Sequence, residues 1–174
     1  MSIKSEIYDW LQTVVVALVV SILLFIFVGR VTGIIGPSME KTLFDGDKVI
    51  ISNLFFTPKQ GDIVIITKES FEKEPIVKRI IATEGQKVDI NFTTGEVKVD
   101  GKTLNETYIA EKTYRHYDVT FPVTVPKGSV FVMGDNRNVS YDSRASVIGM
   151  IDTRMILGKV YLRITPFNKQ GLIK

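Results

Sequence analysis

The sequence predicts a mainly β protein: an N-terminal single transmembrane helix, then an all-β domain with a small β-rich inserted lobe. Three observations carry that expectation. Trp10–Val28 is a continuous apolar run. Beyond it the chain breaks into short β-rich runs punctuated by glycine and proline turns. Residues 84–125 hold more hairpin signals and polar side chains than their flanks. The expected division is an arm over 1–9, the helix over 10–28 and the β domain over 29–174. The inserted lobe covers 84–125.

In the helix segment, 19 residues include only Gln12, Thr13 and Ser21 as polar side chains. At the α-helical rise this run reaches about 28 Å, close to a hydrocarbon core. Tyr8 and Trp10 stand at one edge and Arg30 at the other, where interfacial anchors belong. A cleaved secretory leader fits less well. The run is too long, and Phe27-Val28-Gly29-Arg30 offers no small-x-small exit. Charge does not orient the span: Lys4 is offset by Glu6 and Asp9, whereas Arg30 and Lys41 follow it.

The strands follow in order. Lys48–Ser52 and Ile63–Thr67 are β-rich, separated by a stretch ending in the turn Pro58-Lys59-Gln60-Gly61-Asp62. Pro75–Ala82 is apolar on both faces apart from Lys78 and Arg79. Lys87–Asn91 and Glu96–Val99 flank Thr93-Thr94-Gly95, a hairpin signal, and Asp100-Gly101 turns the chain again. Val119–Val125 and Ser129–Met133 flank Pro126-Lys127-Gly128, and Gly158–Ile164 supplies a last strand. A short helix is expected around Asp152–Ile156.

Composition removes several function classes. The 174 residues contain no cysteine, so disulfides, thiolate metal sites and a cysteine nucleophile are excluded. His116 is the single histidine and sits in the polar Tyr114–Asp118 stretch. It reads as an exposed loop residue, and neither a metal site nor any other cofactor is expected. The net charge of +3 comes from scattered basic residues, which gives nucleic-acid binding little support.

Three segments carry chemistry. Gly36-Pro37-Ser38-Met39 follows the span, Lys78 lies in Ile76-Val77-Lys78-Arg79-Ile80-Ile81, and Gly134–Arg144 is a long polar loop. A serine hydroxyl needs a base during attack. Lysine can serve when apolar surroundings disfavour its charged form, and Lys78 has the most suitable context of any lysine in the chain. Each segment alone has a plain alternative: Gly-Pro-Ser is turn chemistry, Lys78 fits the outer face of an amphipathic strand, and the loop could be charge-paired.

In that order after a span, "GPSMEKTL", "GDIVII", "VKRIIATEG" and "VMGDNRNVSYDSR" resemble bacterial type I signal peptidase, or leader peptidase. The resemblance runs from the anchor to "GKVYLRITPF" and makes the β domain catalytic. It implies Ser38 as nucleophile and Lys78 as general base, with Ser140 hydrogen-bonding and orienting the lysine amine. Asp142 would brace the loop with Arg144, and Asp135 would pair with Arg79. The Ser38 N–H would be one oxyanion donor. Family members with serine two residues before the nucleophile use its hydroxyl as a second; Gly36 stands there in this chain. Lys41 in place of proline, and Asn138-Val139 in place of Asp-Asn, are further departures. By motif position Met39, Leu43, Ile76 and Val77 would wall the pocket for the residue before the cut.

The implied substrates are preproteins cut after small-x-small sites, bound as an added strand. The implied partners also include membrane lipid and, transiently, the protein-export channel, with the N-terminus cytoplasmic and the β domain extracytoplasmic. Leu54-Phe55-Phe56 either closes the core beneath a hairpin or dips into the membrane interface. Asn91, Asn105 and Asn138 head Asn-x-Ser/Thr triplets that read as chance matches. Two rivals remain. A self-cleaving repressor needs a DNA-binding region and typically an Ala-Gly target, and the chain has no Ala-Gly pair. A catalytically silent, membrane-anchored β-module that binds preproteins would be expected to lose the serine or the lysine, and both are present.

Overall fold

The computed structural model describes residues 3–68 and 74–173. A helix, α1 (Ile3–Val28), leads into β1 (Arg30–Gly33), β2 (Lys48–Ser52), β3 (Ile63–Ile66) and β4 (Ile76–Thr83). β5 (Lys87–Asn91), β6 (Glu96–Val99), β7 (Lys102–Thr103) and β8 (Val123–Thr124) come next. β9 (Ser129–Met133), β10 (Ile151–Asp152), β11 (Ile156–Thr165) and β12 (Gly171–Leu172) complete the domain.

The large sheet runs in the order β1-β2-β11-β3-β4-β9-β10, with β12 on the outer part of β11. Its pairs are antiparallel. β11 therefore returns from the far end of the chain to insert between β2 and β3. The central strands show why: all four residues of β3 are buried, so both of its faces are covered. β4 is buried over seven of its eight residues, and that is where Lys78 and Arg79 lie.

A smaller sheet, β7-β6-β5-β8, occupies the 84–125 segment. β5 alternates exposed and buried residues, as a half-covered strand does. Its apolar face meets the large sheet in a core that joins Val88, Val97 and Val99 to Ile81, Phe131 and Met133. Gly95 turns the β5–β6 hairpin at φ +72°, and a Cβ there would lie 2.5 Å from Lys112 Cβ. Only glycine satisfies both demands.

Several expectations shift. The strand foreseen over Val119–Val125 contracts to β8, because Pro122 cannot donate to a ladder. The short helix near Asp152–Ile156 is a single 3-10 turn, Thr153–Met155, capped by the Asp152 side chain. β7, β10 and β12, of two residues each, are too short to carry a visible alternation in sequence.

The expected membrane-crossing helix over Trp10–Val28 is met only in part. α1 covers those positions, but among the described residues no helix is long and apolar enough to cross a membrane. The described side chains of α1 run from Glu6 to Ser21 and Ile22, and positions 23–28 of the expected span lie outside them. Leu11, Val15, Leu18 and Val20 are all exposed.

The Leu54–Phe56 triplet divides. Phe55 is 96% exposed at φ 53°, whereas Phe56 packs against the core of β3, β4 and β9. The residues expected to act together point to different environments.

Candidate active site

Ser38 begins a tight turn after β1. Leu43 and Thr42 donate backbone hydrogen bonds to the Met39 carbonyl, both at 2.9 Å. Gly36 enters the turn at φ +82° and donates its N–H to Asp45 Oδ1 at 2.8 Å. That N–H is committed to the loop rather than to the cleft. The Ser38 N–H makes no hydrogen bond among the described residues.

Met39 and Leu43 pin this turn from below. They are 1% and 0% exposed, in a core with Ile34, Ile63 and Val77. They were expected in the wall of the substrate pocket, and neither lines the cleft beside Ser38; burying a large apolar side chain is worth about 1.5–3 kcal/mol, which holds both in the core. The cleft beside Ser38, about 200 Å³, is lined instead by Ile35, Pro37, Glu74, Ile76, Val77 and Tyr141, among others. Ile35, Glu74 and Tyr141 were not foreseen in this lining.

Lys78 lies on β4 opposite Val64 of β3 and is 4% exposed. Its Nζ donates to Ser38 Oγ at 2.9 Å across forty positions of sequence. The next residue, Arg79, makes a two-pronged ion pair with Asp135, Nε to Oδ1 at 2.8 Å and an Nη to Oδ2 at 2.7 Å. Thr42 donates to the same carboxylate, and Arg79 also donates to the Gly61 carbonyl at 2.7 Å. Asp135 thus ties the Ser38 turn to the strand bearing Lys78.

The Gly134–Arg144 loop supplies the remaining walls. Asn136 donates its backbone N–H to the Ser38 carbonyl at 3.0 Å and its side chain to the Pro37 carbonyl at 3.2 Å. Asp142 accepts from the Gly134 N–H at 3.0 Å and from Arg144 Nε at 2.8 Å. Arg144 is fully buried and donates to the carbonyls of Arg137, Ser140 and Arg115. One guanidinium therefore closes the loop on itself, with its charge matched by Asp142.

Ser140 is buried beside this network, but its Oγ has no hydrogen-bond partner among the described residues. The expected hydrogen bond to the Lys78 amine is therefore not made here; the amine donates to Ser38. Gly134 separates the two serines: a Cβ on it would lie 2.3 Å from Ser140 Oγ and 2.4 Å from the Ser38 carbonyl oxygen.

Sequence reasoning missed a further buried cation. Arg137 binds the Glu106 carboxylate, Thr113 Oγ1 at 2.9 Å and the Gly134 carbonyl at 3.1 Å. Tyr108 packs between the two arginines, 4.0 Å from Arg79 and 5.9 Å from Arg137. Burial first, and then the Glu106 charge, push its hydroxyl pKa well above the usual range. Glu106 and Tyr108 come from the 84–125 segment, so the smaller sheet's connections brace the Gly134–Arg144 loop. The "GDNR" run already exposed Arg137; nothing local pointed to its partners.

Asn138 accepts from the N–H groups of Tyr114 and Arg115, both at 3.0 Å, and donates to Glu111 and to the Lys112 carbonyl. Its amide is a staple between segments. His116 is exposed and meets Phe92 edge-on. Among the described residues no group of three His, Cys, Asp or Glu side chains is arranged to hold a metal ion.

The family model described as signal peptidase, peptidase S26, matches residues 7–165. The signal peptidase I of Bacillus licheniformis is 32% identical over 95% of this chain and 92% of its own length. Signal peptidase IB of Staphylococcus aureus strain COL is 33% identical over 95% and 93%. A probable signal peptidase I-2 of Synechocystis is 34% identical over 94% and 77%. A crystal structure of a signal peptidase I from Enterococcus faecalis V583 overlays with a TM-score of 0.49 at 26% identity, covering 60% of this chain and 97% of that one. That overlay is too slight to carry a fold assignment by itself.

Proposed function

Because the chain belongs to the signal peptidase S26 family, and is with it a serine endopeptidase, we propose that it removes signal peptides from exported preproteins using Ser38 and Lys78. The observation that carries the mechanism is the 2.9 Å hydrogen bond between Lys78 Nζ and Ser38 Oγ, from a lysine that is only 4% exposed. A candidate base must reach the proton that it removes, and Lys78 does.

The steps follow from that contact. Neutral Lys78 takes the Ser38 proton as Oγ attacks the scissile carbonyl. The Ser38 N–H, which has no hydrogen-bond partner among the described residues, donates to the oxyanion. As the C–N bond breaks, the Lys78 ammonium returns the proton to the leaving amine and an ester on Ser38 remains. Water then gives a proton to Lys78 as it attacks the ester, and Lys78 passes that proton to Ser38 Oγ as the serine leaves, which restores the neutral amine. Ser140 Oγ, buried and unpartnered beside Gly134, is the hydroxyl that receives the amine once Ser38 is acylated. Gly36 leaves the second oxyanion donor without a side chain, and its own N–H is held by Asp45.

Specificity for small residues before the cut fits a cleft of only about 200 Å³ walled by Ile76 and Val77. The extended substrate adds its backbone beside the segments bearing Ser38 and Lys78. We place the chain in the cell membrane with α1 as its anchor, the N-terminus cytoplasmic and the β domain outside. The support is the 19-residue apolar run and the exposure of apolar side chains on all sides of α1. A helix apolar all round needs a buried environment, and the described side chains of α1, at positions 6–22, are exposed. Phe55, projecting from the β2–β3 connection, adds a lipid contact.

The test is cleavage of a peptide spanning a small-x-small junction by the detergent-solubilised chain. Ser38→Ala and Lys78→Met should each abolish it while the protein stays folded, since nucleophile and base act as a unit. Activity should rise from acid toward mildly alkaline pH, because only the neutral amine accepts a proton. Full activity in folded Ser38→Ala protein ends this mechanism.

A further inference from the structure

Glu74 stands at the rim of the substrate cleft, exposed, with no hydrogen bond or ion pair to any described residue. The other residues that line the cleft are uncharged apart from Lys78, which is buried at its base. The two long walls, Ile35–Ser38 and Glu74–Lys78, both end at the reacting atoms. Along the second wall the order outward from Lys78 is Val77, Ile76, Pro75, Glu74.

We propose that Glu74 is a specificity-determining residue that favours a basic, and disfavours an acidic, side chain about four residues before the bond that is cut. The inference rests on the signal-peptidase reading above. Ile76 and Val77 wall the pocket for the residue before the cut, so the acyl side of the substrate runs from Lys78 toward Glu74. Four strand residues span about 13 Å, which brings the fourth substrate residue before the cut level with the carboxylate. An exposed carboxylate acts on a neighbouring charge with modest strength that falls as salt rises. It therefore ranks substrates without deciding whether they are cut.

The experiment uses the full chain in detergent with a peptide spanning a small-x-small junction. Lys, Gln or Glu is placed in turn at the third, fourth and fifth positions before the cut, and kcat/KM is measured at low and high salt. The expected order is Lys above Gln above Glu at one of these positions. The Lys-to-Glu ratio should be roughly 3- to 10-fold at low salt and shrink on adding salt. Glu74→Gln should collapse the ratio toward one, and Glu74→Lys should reverse it. A ratio near one at all three positions in the unaltered protein overturns the proposal, as does a ratio that Glu74→Gln leaves intact. Cleavage of the Gln peptides and its loss in Ser38→Ala report separately on the parent reading, so the two ideas fail distinguishably.

Discussion

Gly134 and Ser140 approach so closely that no side chain at position 134 could share the space: its Cβ would lie 2.3 Å from Ser140 Oγ. The same Cβ would lie 2.4 Å from the Ser38 carbonyl oxygen. A residue with no catalytic group of its own therefore sets the distance between the two serine segments.

Gly134→Ala should consequently harm both stability and turnover. Overpacking of this kind costs about 1–3 kcal/mol, and relief requires moving either the Ser38 backbone or Ser140. Thermal melting should fall by several degrees, and kcat of the folded fraction should fall further than stability alone explains. Unchanged melting with full turnover would show that the loop relaxes without disturbing Ser38.

Breaking the Arg79–Asp135 pair from either side should be costly, because both side chains are almost fully buried, 2% and 0% exposed. Arg79→Met or Asp135→Asn should each destabilise the domain by about 3–5 kcal/mol in urea titrations. The double substitution should cost less than the sum, since no buried charge is then left alone. Strict additivity would contradict this account.

Acid stability should depend in part on Asp118. The Ser146 hydroxyl, and after it the Ser146 N–H at 2.8 Å, hold the Asp118 carboxyl below the usual carboxylate range. A lowered folded-state value gives stability that is present above the unfolded value and lost as pH falls through the folded one. The melting temperature of the unaltered protein should therefore drop more between pH 5 and pH 2 than that of Asp118→Asn. The contribution is small, because the carboxylate is exposed.

Phe55 and Phe56 should separate cleanly. Phe56→Ser should lower the melting temperature, because Phe56 packs on a buried cluster with Ile66, Ile76 and Ile156. Phe55→Ser, at a 96% exposed position, should leave it unchanged and weaken binding to phospholipid vesicles. Vesicle binding that is indifferent to Phe55 would remove this residue from the membrane contact.

Much of this architecture was readable residue by residue. Lys48–Ser52, Lys87–Asn91, Glu96–Val99 and Ser129–Met133 were expected with the boundaries they have, because alternation and flanking turns are local signals. Ser38 and Lys78 each had a plain local alternative, a Gly-Pro turn and an amphipathic strand, and it was the order of the motif blocks along the chain that singled them out. Val119–Val125 misled because β propensity ignores the donor that Pro122 lacks. The burial of Met39 and Leu43 was not legible, because position beside Ser38 says nothing about which way a side chain turns.

The sequence by itself determined the chemistry available to this protein and the strands that carry it, since side-chain period, turn residues and functional groups are properties of neighbouring positions. Only the tertiary structure decided which groups meet. Lys78 reaches Ser38 because β4 lies inside the sheet, one strand from the late-arriving β11, with both of its faces covered. Arg137 finds Glu106, and Asn136 finds Pro37, across 31 and 99 positions. Such contacts depend on register between distant strands and on the need to pair every charge removed from water, and neither is written in any short stretch of chain.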